Sequence, residues 1–252
     1  MNTHSDYSDL PMILIKKTPF PVYCPSSFGL AAYARDTQRW FFVKDRHSYG
    51  FRAILKGSYQ DAMLPNLVAY MTLSELSKLK SSMYSFEKFF DLTFETFQTV
   101  RLDEVKYAFS RVSQSRKMLK RCFRNIKAAD DTNWTWTKGQ KNTDGSETAL
   151  MAAVREFEEE SGIEISQFRS SILPEPVTYT HTGTLGRNFN TVLWICIFES
   201  EPGVSPPTPL NVEVCERRWM CQHEVNRLLA ADLLDVFVQI QVKLQRHLSL
   251  IA

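Results

Sequence analysis

The spacing of apolar residues changes period along this chain, and that change limits the folds open to it. Leu30-Ala-Ala-Tyr-Ala and Trp40-Phe-Phe-Val flank the polar Arg35-Asp-Thr-Gln, which predicts two strands around a turn within residues 28–44. Between Tyr59 and Asp131 the period becomes helical. Thr72 and Glu75 have capping-box spacing, and Phe86, Phe89, Phe90, Phe94 and Phe97 recur along one helical face. Leu102, Val105, Phe109, Val112, Leu119, Phe123 and Ile126 predict a single helix of about 25 residues.

After Trp134-Thr-Trp-Thr, strands and helices alternate. A helix is expected over Leu150–Ser161, strands over Val177–Tyr179, Thr191–Phe198 and Val212–Met220, and two apolar-patterned helices from Glu224 on. Gly183–Gly186 reads as a turn and Pro202–Pro209 as a surface loop. The expected plan is an α/β domain with a helical insertion: first strands in 1–58, insertion in 59–131, remaining core in 132–252.

Composition excludes several classes. With 44% apolar and 12% aromatic residues the chain has ample core builders, so disorder is excluded. The longest apolar run, Val192–Phe198, is far short of the roughly 20 residues of a membrane helix. The polar opening, Met1-Asn-Thr-His-Ser-Asp, has no secretory pattern. Five cysteines without a CxxC pair suggest a reducing compartment and no zinc ribbon, hence a cytoplasmic expectation.

The net charge of +2 conceals a segregation. Arg101, Lys106, Arg111, Arg116, Lys117, Lys120, Arg121, Arg124 and Lys127 face only Asp103 and Glu104 in their stretch, whereas Glu147–Glu164 holds six glutamates and one Arg155. In the acidic segment Ala149, Leu150, Ala153, Val154 and Phe157 mark a buried helix face. Glu156, Glu159 and Glu160 then project from neighbouring positions, where like charges repel. Most glutamate runs are solvated helix faces. This one concentrates repulsion without interleaved lysines, and a hard divalent cation such as Mg²⁺ or Mn²⁺ would reverse the sign of that interaction. Gly162 ends the helix.

The order Arg155-Glu156-Phe157-Glu158-Glu159-Glu160-Ser161-Gly162-Ile163, with Glu147 eight residues before Arg155, resembles the core of the Nudix box. Trp134-Thr-Trp-Thr-Lys138-Gly139 stands where Nudix hydrolases place a strand and glycine loop, although seven residues rather than five separate Gly139 from Glu147. The resemblance implies a Nudix α/β/α sandwich with a mixed sheet. It also implies a metal site of Gly139, Glu156, Glu159 and Glu160, and a catalytic group of Glu147, Arg155, Glu156 and Glu213. Arg155 would orient Glu156 and pair with Glu147; Glu213, six residues before Trp219, would be the additional acid. Which carboxylate is the base stays open. Val43-Lys-Asp-Arg-His-Ser-Tyr-Gly-Phe and Met71-Thr-Leu-Ser-Glu extend a likeness to the mRNA-decapping Nudix enzymes of large DNA viruses, of the African swine fever virus type. That likeness implies release of m⁷GDP and 5′-monophosphate RNA from capped mRNA, with mRNA turnover and host shutoff in a host cytoplasm. Inositol pyrophosphates or dinucleoside polyphosphates are alternative substrates, and a catalytically silent RNA-binding module is a third reading.

On one helical wheel Lys106, Lys117, Lys120, Arg121 and Arg124 fall within a sector of roughly 100°, a row suited to an RNA phosphate backbone. Cap guanine recognition needs an aromatic sandwich, for which Trp40, Trp134 and Tyr179 are candidates.

Overall fold

The computed structural model describes residues 26–125, 129, 131–142, 144–182, 188–204 and 213–251. The predicted turn at Gly183–Gly186, most of the Pro-rich loop, and Ile126, Lys127 and Val212 lie outside them. The expected first pair of strands is present as β1 (Ser26–Ala34) and β2 (Arg39–Asp45). They join β3 (Trp134–Thr135), β4 (Thr137–Gly139), β5 (Ser170–Ile172), β6 (Val177–Thr182), β7 (Asn188–Phe198) and β8 (Val214–Met220) in one sheet. The sheet is mixed: β1 runs parallel to β7 from Ser26↔Asn190 to Ala34↔Phe198, while the other pairings are antiparallel.

Alternation along the central strands explains the two covering layers. Leu30, Ala32 and Ala34 of β1, Phe41 and Val43 of β2, and Trp194, Cys196 and Phe198 of β7 share one face. They pack with Ala153 and Phe157 of a helix at Ala149–Ser161. The residues between them (Ala31, Tyr33, Trp40, Phe42, Leu193, Ile195, Ile197) pack on the opposite face with Val225, Phe237, Ile240 and Leu244. Those last four come from the two C-terminal helices, Gln222–Leu228 and Ala231–Ile251. The fold is an α/β/α sandwich. At roughly 1.5–3 kcal/mol per fully buried large apolar side chain, these two faces supply most of its cohesion.

The helical block is built of α1 (Tyr49–Leu55), α2 (Leu64–Ala69), α3 (Leu73–Ser82), α4 (Phe86–Phe97), α5 (Leu102–Gln114) and α6 (Arg116–Asn125). The three remaining helices are α7 (Ala149–Ser161), α8 (Gln222–Leu228) and α9 (Ala231–Ile251). The block begins at α1, a helix ahead of the expected start at Tyr59, because Phe51, Ile54 and Leu55 belong to its core. That core is separate from the sheet's two and includes Leu64, Leu67, Leu79, Phe89, Val105 and Leu119. Thr72 caps α3 reciprocally with Glu75, as the spacing predicts.

The single long helix expected over Leu102–Ile126 is instead broken at Ser115, whose hydroxyl hydrogen-bonds Asp61 at 2.6 Å. A Ser side chain that finds a partner off the helix competes with continued regular winding. The block leaves the sheet at Asp45 and returns beside it. Lys44 pairs with Trp134, Val43 with Thr135, and the Asp45 amide donates to Asn133 O at 3.2 Å.

Candidate active site

Helix α7 places the acidic residues. Its start is fixed by Thr148, whose hydroxyl accepts from the Met151 amide at 3.1 Å. Its end is Gly162, at φ 71°, a left-handed cap that L side chains rarely adopt. With Ala153 and Phe157 turned into the sheet, Glu156 and Glu160 flank that buried side, while Arg155 and Glu159 lie toward the outer face.

Arg155 is the hub. Its Nε donates to Glu147 Oε1 at 2.8 Å, its Nη1 to Glu156 Oε1 at 2.9 Å and Glu159 Oε2 at 3.0 Å, and its Nη2 to Gln140 O at 2.9 Å. Glu147 is buried and also accepts from the Asn142 amide at 2.9 Å. The Arg155 bond, then that amide, hold its carboxyl below the usual range. The loop from Gly139 to Glu147 therefore closes onto Arg155 despite its two additional residues.

Gly139 lies against Glu156. A Cβ there would stand 2.0 Å from the Glu156 carboxylate carbon, so only glycine permits the approach. Beside it the Lys138 amide donates to Glu160 Oε2 at 3.1 Å, and the Lys138 ammonium donates to Thr135 Oγ1 at 2.7 Å.

The electrostatics are those of crowded acids. Burial pushes the Glu160 carboxyl up to about 8; the Lys138 charge opposes that rise, and Glu156, Glu213 and Asp45 add to it. Glu156 is also raised, first by burial, against the pull of Arg155 and with Glu159 and Glu213 adding. Glu213 precedes β8 at the exposed rim and acts on Glu156, Glu160 and Asp45 through its charge.

Two residues that sequence reasoning missed complete the picture. Asp45 continues the Phe41, Val43 alternation on β2, so its side chain falls on the α7 face, and it is coupled to Lys138, Arg52 and Glu213. A register shift against β8, where Lys44 faces Glu216 but Asp45 faces Val214, sits at this position. An acid ending an otherwise apolar stripe was the available signal. Arg217 on β8 donates to the Glu160 carbonyl, placing a cation at the C-terminal end of α7.

Residues 118–239, a little under half of the chain, match the NUDIX domain family. Over those residues the chain is similar to the NUDIX domain family. The match contains every acidic residue from Glu147 to Glu213 and leaves out β1 and β2, which the structure places inside the same sheet. No curated protein matches the chain. Among solved structures it is similar to a C. elegans Ap4A hydrolase binary complex, at 12% identity and TM-score 0.46, over 88% of this chain and 98% of that one. It is also similar to the NUDIX domain of Shewanella oneidensis NrtR complexed with ADP ribose, at 9% and 0.45, over 91% and 94%. The E. coli dihydroneopterin triphosphate pyrophosphohydrolase follows at 13% and 0.38, over 84% and 90%.

Within the matched residues, Glu156, Glu159, Glu160 and Glu213 offer hard oxygen donors whose mutual repulsion a divalent cation would relieve, so the donor chemistry fits Mg²⁺ or Mn²⁺. Among the described residues no three His, Cys, Asp or Glu side chains converge at ligating distance, and Arg155 pairs with Glu156 and Glu159.

The other expected residues divide. Lys117, Lys120, Arg121 and Arg124 are exposed on α6 and keep their common face, whereas Lys106 stands on α5 beyond the Ser115 break and does not belong to one continuous row. Trp40 is buried against Tyr33 and Phe237, and Trp134 is buried with Lys44 and Arg218 over its ring. Both are thereby removed as cap-stacking residues. Tyr179 is half-buried near Trp136.

Proposed function

We propose that this protein is a metal-dependent pyrophosphohydrolase acting on capped mRNA, releasing m⁷GDP and 5′-monophosphate RNA. The observation that carries the hydrolase reading is Arg155 joined at once to Glu147, Glu156 and Glu159, with Gly139 seated on Glu156. A divalent cation held by Glu156, Glu159 and Glu160 would supply Lewis-acid stabilisation of the pyrophosphate charge and lower the pKa of water.

The chain's own residues do the rest. Glu147 fixes the Arg155 guanidinium, and Arg155 sets the angle of Glu156. The Lys138 amide orients Glu160, while the Lys138 ammonium brings positive charge beside the acids for a phosphate oxygen. A carboxylate of this group takes the proton from the attacking water, and Glu160 and Glu213 are the two to compare. The exposed row on α6 supports RNA as the leaving portion of the substrate. A viral origin and a role in host shutoff remain part of this proposal, resting on the sequence likeness.

The test is cap-labelled RNA with Mn²⁺. Release of m⁷GDP that is lost in Glu160→Gln supports the reading; no m⁷GDP, or full activity in that variant, overturns it. Burial of Trp40 and Trp134 favours a second reading, in which the same carboxylates cleave an inositol pyrophosphate or dinucleoside polyphosphate and no cap sandwich is needed. Hydrolysis of those substrates, unaffected by charge reversal at Lys117, Lys120, Arg121 and Arg124, would establish it. RNA binding without metal-dependent hydrolysis of any of these substrates would establish the silent module.

A further inference from the structure

Tyr84 lies between α3 and α4 with about half its surface exposed, at 52%. Two cations of α6, one turn apart, stand over its ring: Arg116 Cζ is 4.8 Å and Lys120 Nζ 5.1 Å from the centroid. Arg116 donates from Nη2 to Ser113 Oγ, but its Nε is buried with no hydrogen-bond partner among the described residues, so the ring face is what it meets. Three other cations of the block are neutralised in pairs: Arg101 with Asp103, Arg111 with Asp61 and Lys78 with Glu95. Among the described residues Arg116, Lys117, Lys120, Arg121 and Arg124 form no such pair. The exposed large aromatic side chains of the described residues (Tyr49, Tyr70, Tyr84, Phe94 and Tyr107) are likewise confined to the helical block.

An exposed ring with unpaired cations over it has a specific use. A solvated basic face alone binds any polyanion; an added π surface selects one whose bases are unstacked and can lie on the ring while adjacent phosphates meet the cations. A duplex hides its base faces and gains nothing from the ring.

We propose that Tyr84, with Arg116 and Lys120, is a base-stacking subsite for single-stranded RNA. It rests on the RNA reading above and sharpens it, because it adds a residue that discriminates strandedness to a row that only senses charge.

The experiment uses the full chain without divalent cation, so that nothing is hydrolysed. Fluorescence anisotropy measures a labelled unstructured 20-nucleotide RNA and an RNA duplex of the same length, for the natural protein, Tyr84→Ala and Tyr84→Trp. Tyr84→Ala is expected to weaken single-strand binding by about 5- to 100-fold, with duplex binding unchanged and Tyr84→Trp close to the natural protein. Unchanged single-strand affinity in Tyr84→Ala, or an equal loss for duplex, overturns the subsite. So does failure of Tyr84→Trp to retain binding while its thermal midpoint matches that of the natural protein. Release of m⁷GDP from cap-labelled RNA by the same proteins, with Mn²⁺ restored, separates the two claims. Its absence counts against the decapping reading, while a strand-selective loss in Tyr84→Ala still supports the subsite.

Discussion

Glu160 is where the site's electrostatics concentrate. Its carboxyl binds a proton more tightly folded than unfolded, so with rising pH the folded state gives up that advantage between the ordinary carboxylate range and about 8. Metal-free protein should accordingly lose thermal stability as pH climbs through that window. Glu160→Gln should flatten the decline, raise the midpoint at pH 8 and abolish activity; calorimetry at several pH values reads the first two. Gly139→Ala should force Glu156 aside and cost about 10²-fold in turnover, since displacing a reacting group by an ångström has effects of that size, with little change in α7 helicity by circular dichroism. Glu147, Arg155, Glu156, Glu159 and Glu160 were legible because they lie within one helix and its approach loop. Asp45 and Arg217 were not, because strand pairing, invisible to a linear pattern, brings β2 and β8 beside α7.

The element most worth probing is α3. Burial would raise the Glu75 carboxyl, but the neighbouring His47 and hydrogen bonds from Ser48 and Thr72 outweigh it and the group ends below its usual value. Its oxygens accept from the Ser48 amide and hydroxyl, each at 2.7 Å, and from the Thr72 amide at 3.0 Å, tying the exit of β2 to the helical block. A lowered carboxylate stabilises the fold above its unfolded pKa, and that contribution disappears as pH falls through the folded value. Glu75→Gln should therefore cost about 1–3 kcal/mol at pH 7, with the penalty shrinking below about pH 4; urea unfolding at the two pH values checks it. Capping spacing made α3 readable from Thr72 and Glu75 alone. The break at Ser115 was not readable, since apolar spacing continues across it and the partner, Asp61, is remote in sequence.

For the whole molecule, the near-neutral charge is a sum over two surfaces, and salt should expose the basic one. If Lys117, Lys120, Arg121 and Arg124 each meet a phosphate, replacing all four with Gln should make the log–log slope of single-strand RNA affinity against salt shallower by about 3. A smaller change would mean that fewer than four engage. Alternation foretold the strands and their two covered faces. It could not foretell that β1 would lie parallel to β7, because period two states which way a side chain points and not which strand is next to it.

The pairing of Lys44 with Trp134 has its own consequence. Seen from the sheet, β2 and β3 form a hairpin, and the whole helical block is its loop. Each doubling of such a loop costs only about 0.6 kcal/mol in closure entropy, a charge easily offset by a block that has its own core. The block is thus a cassette: its two ends are anchored side by side, so it can be lost, replaced or lengthened at that junction while every other strand keeps its neighbour.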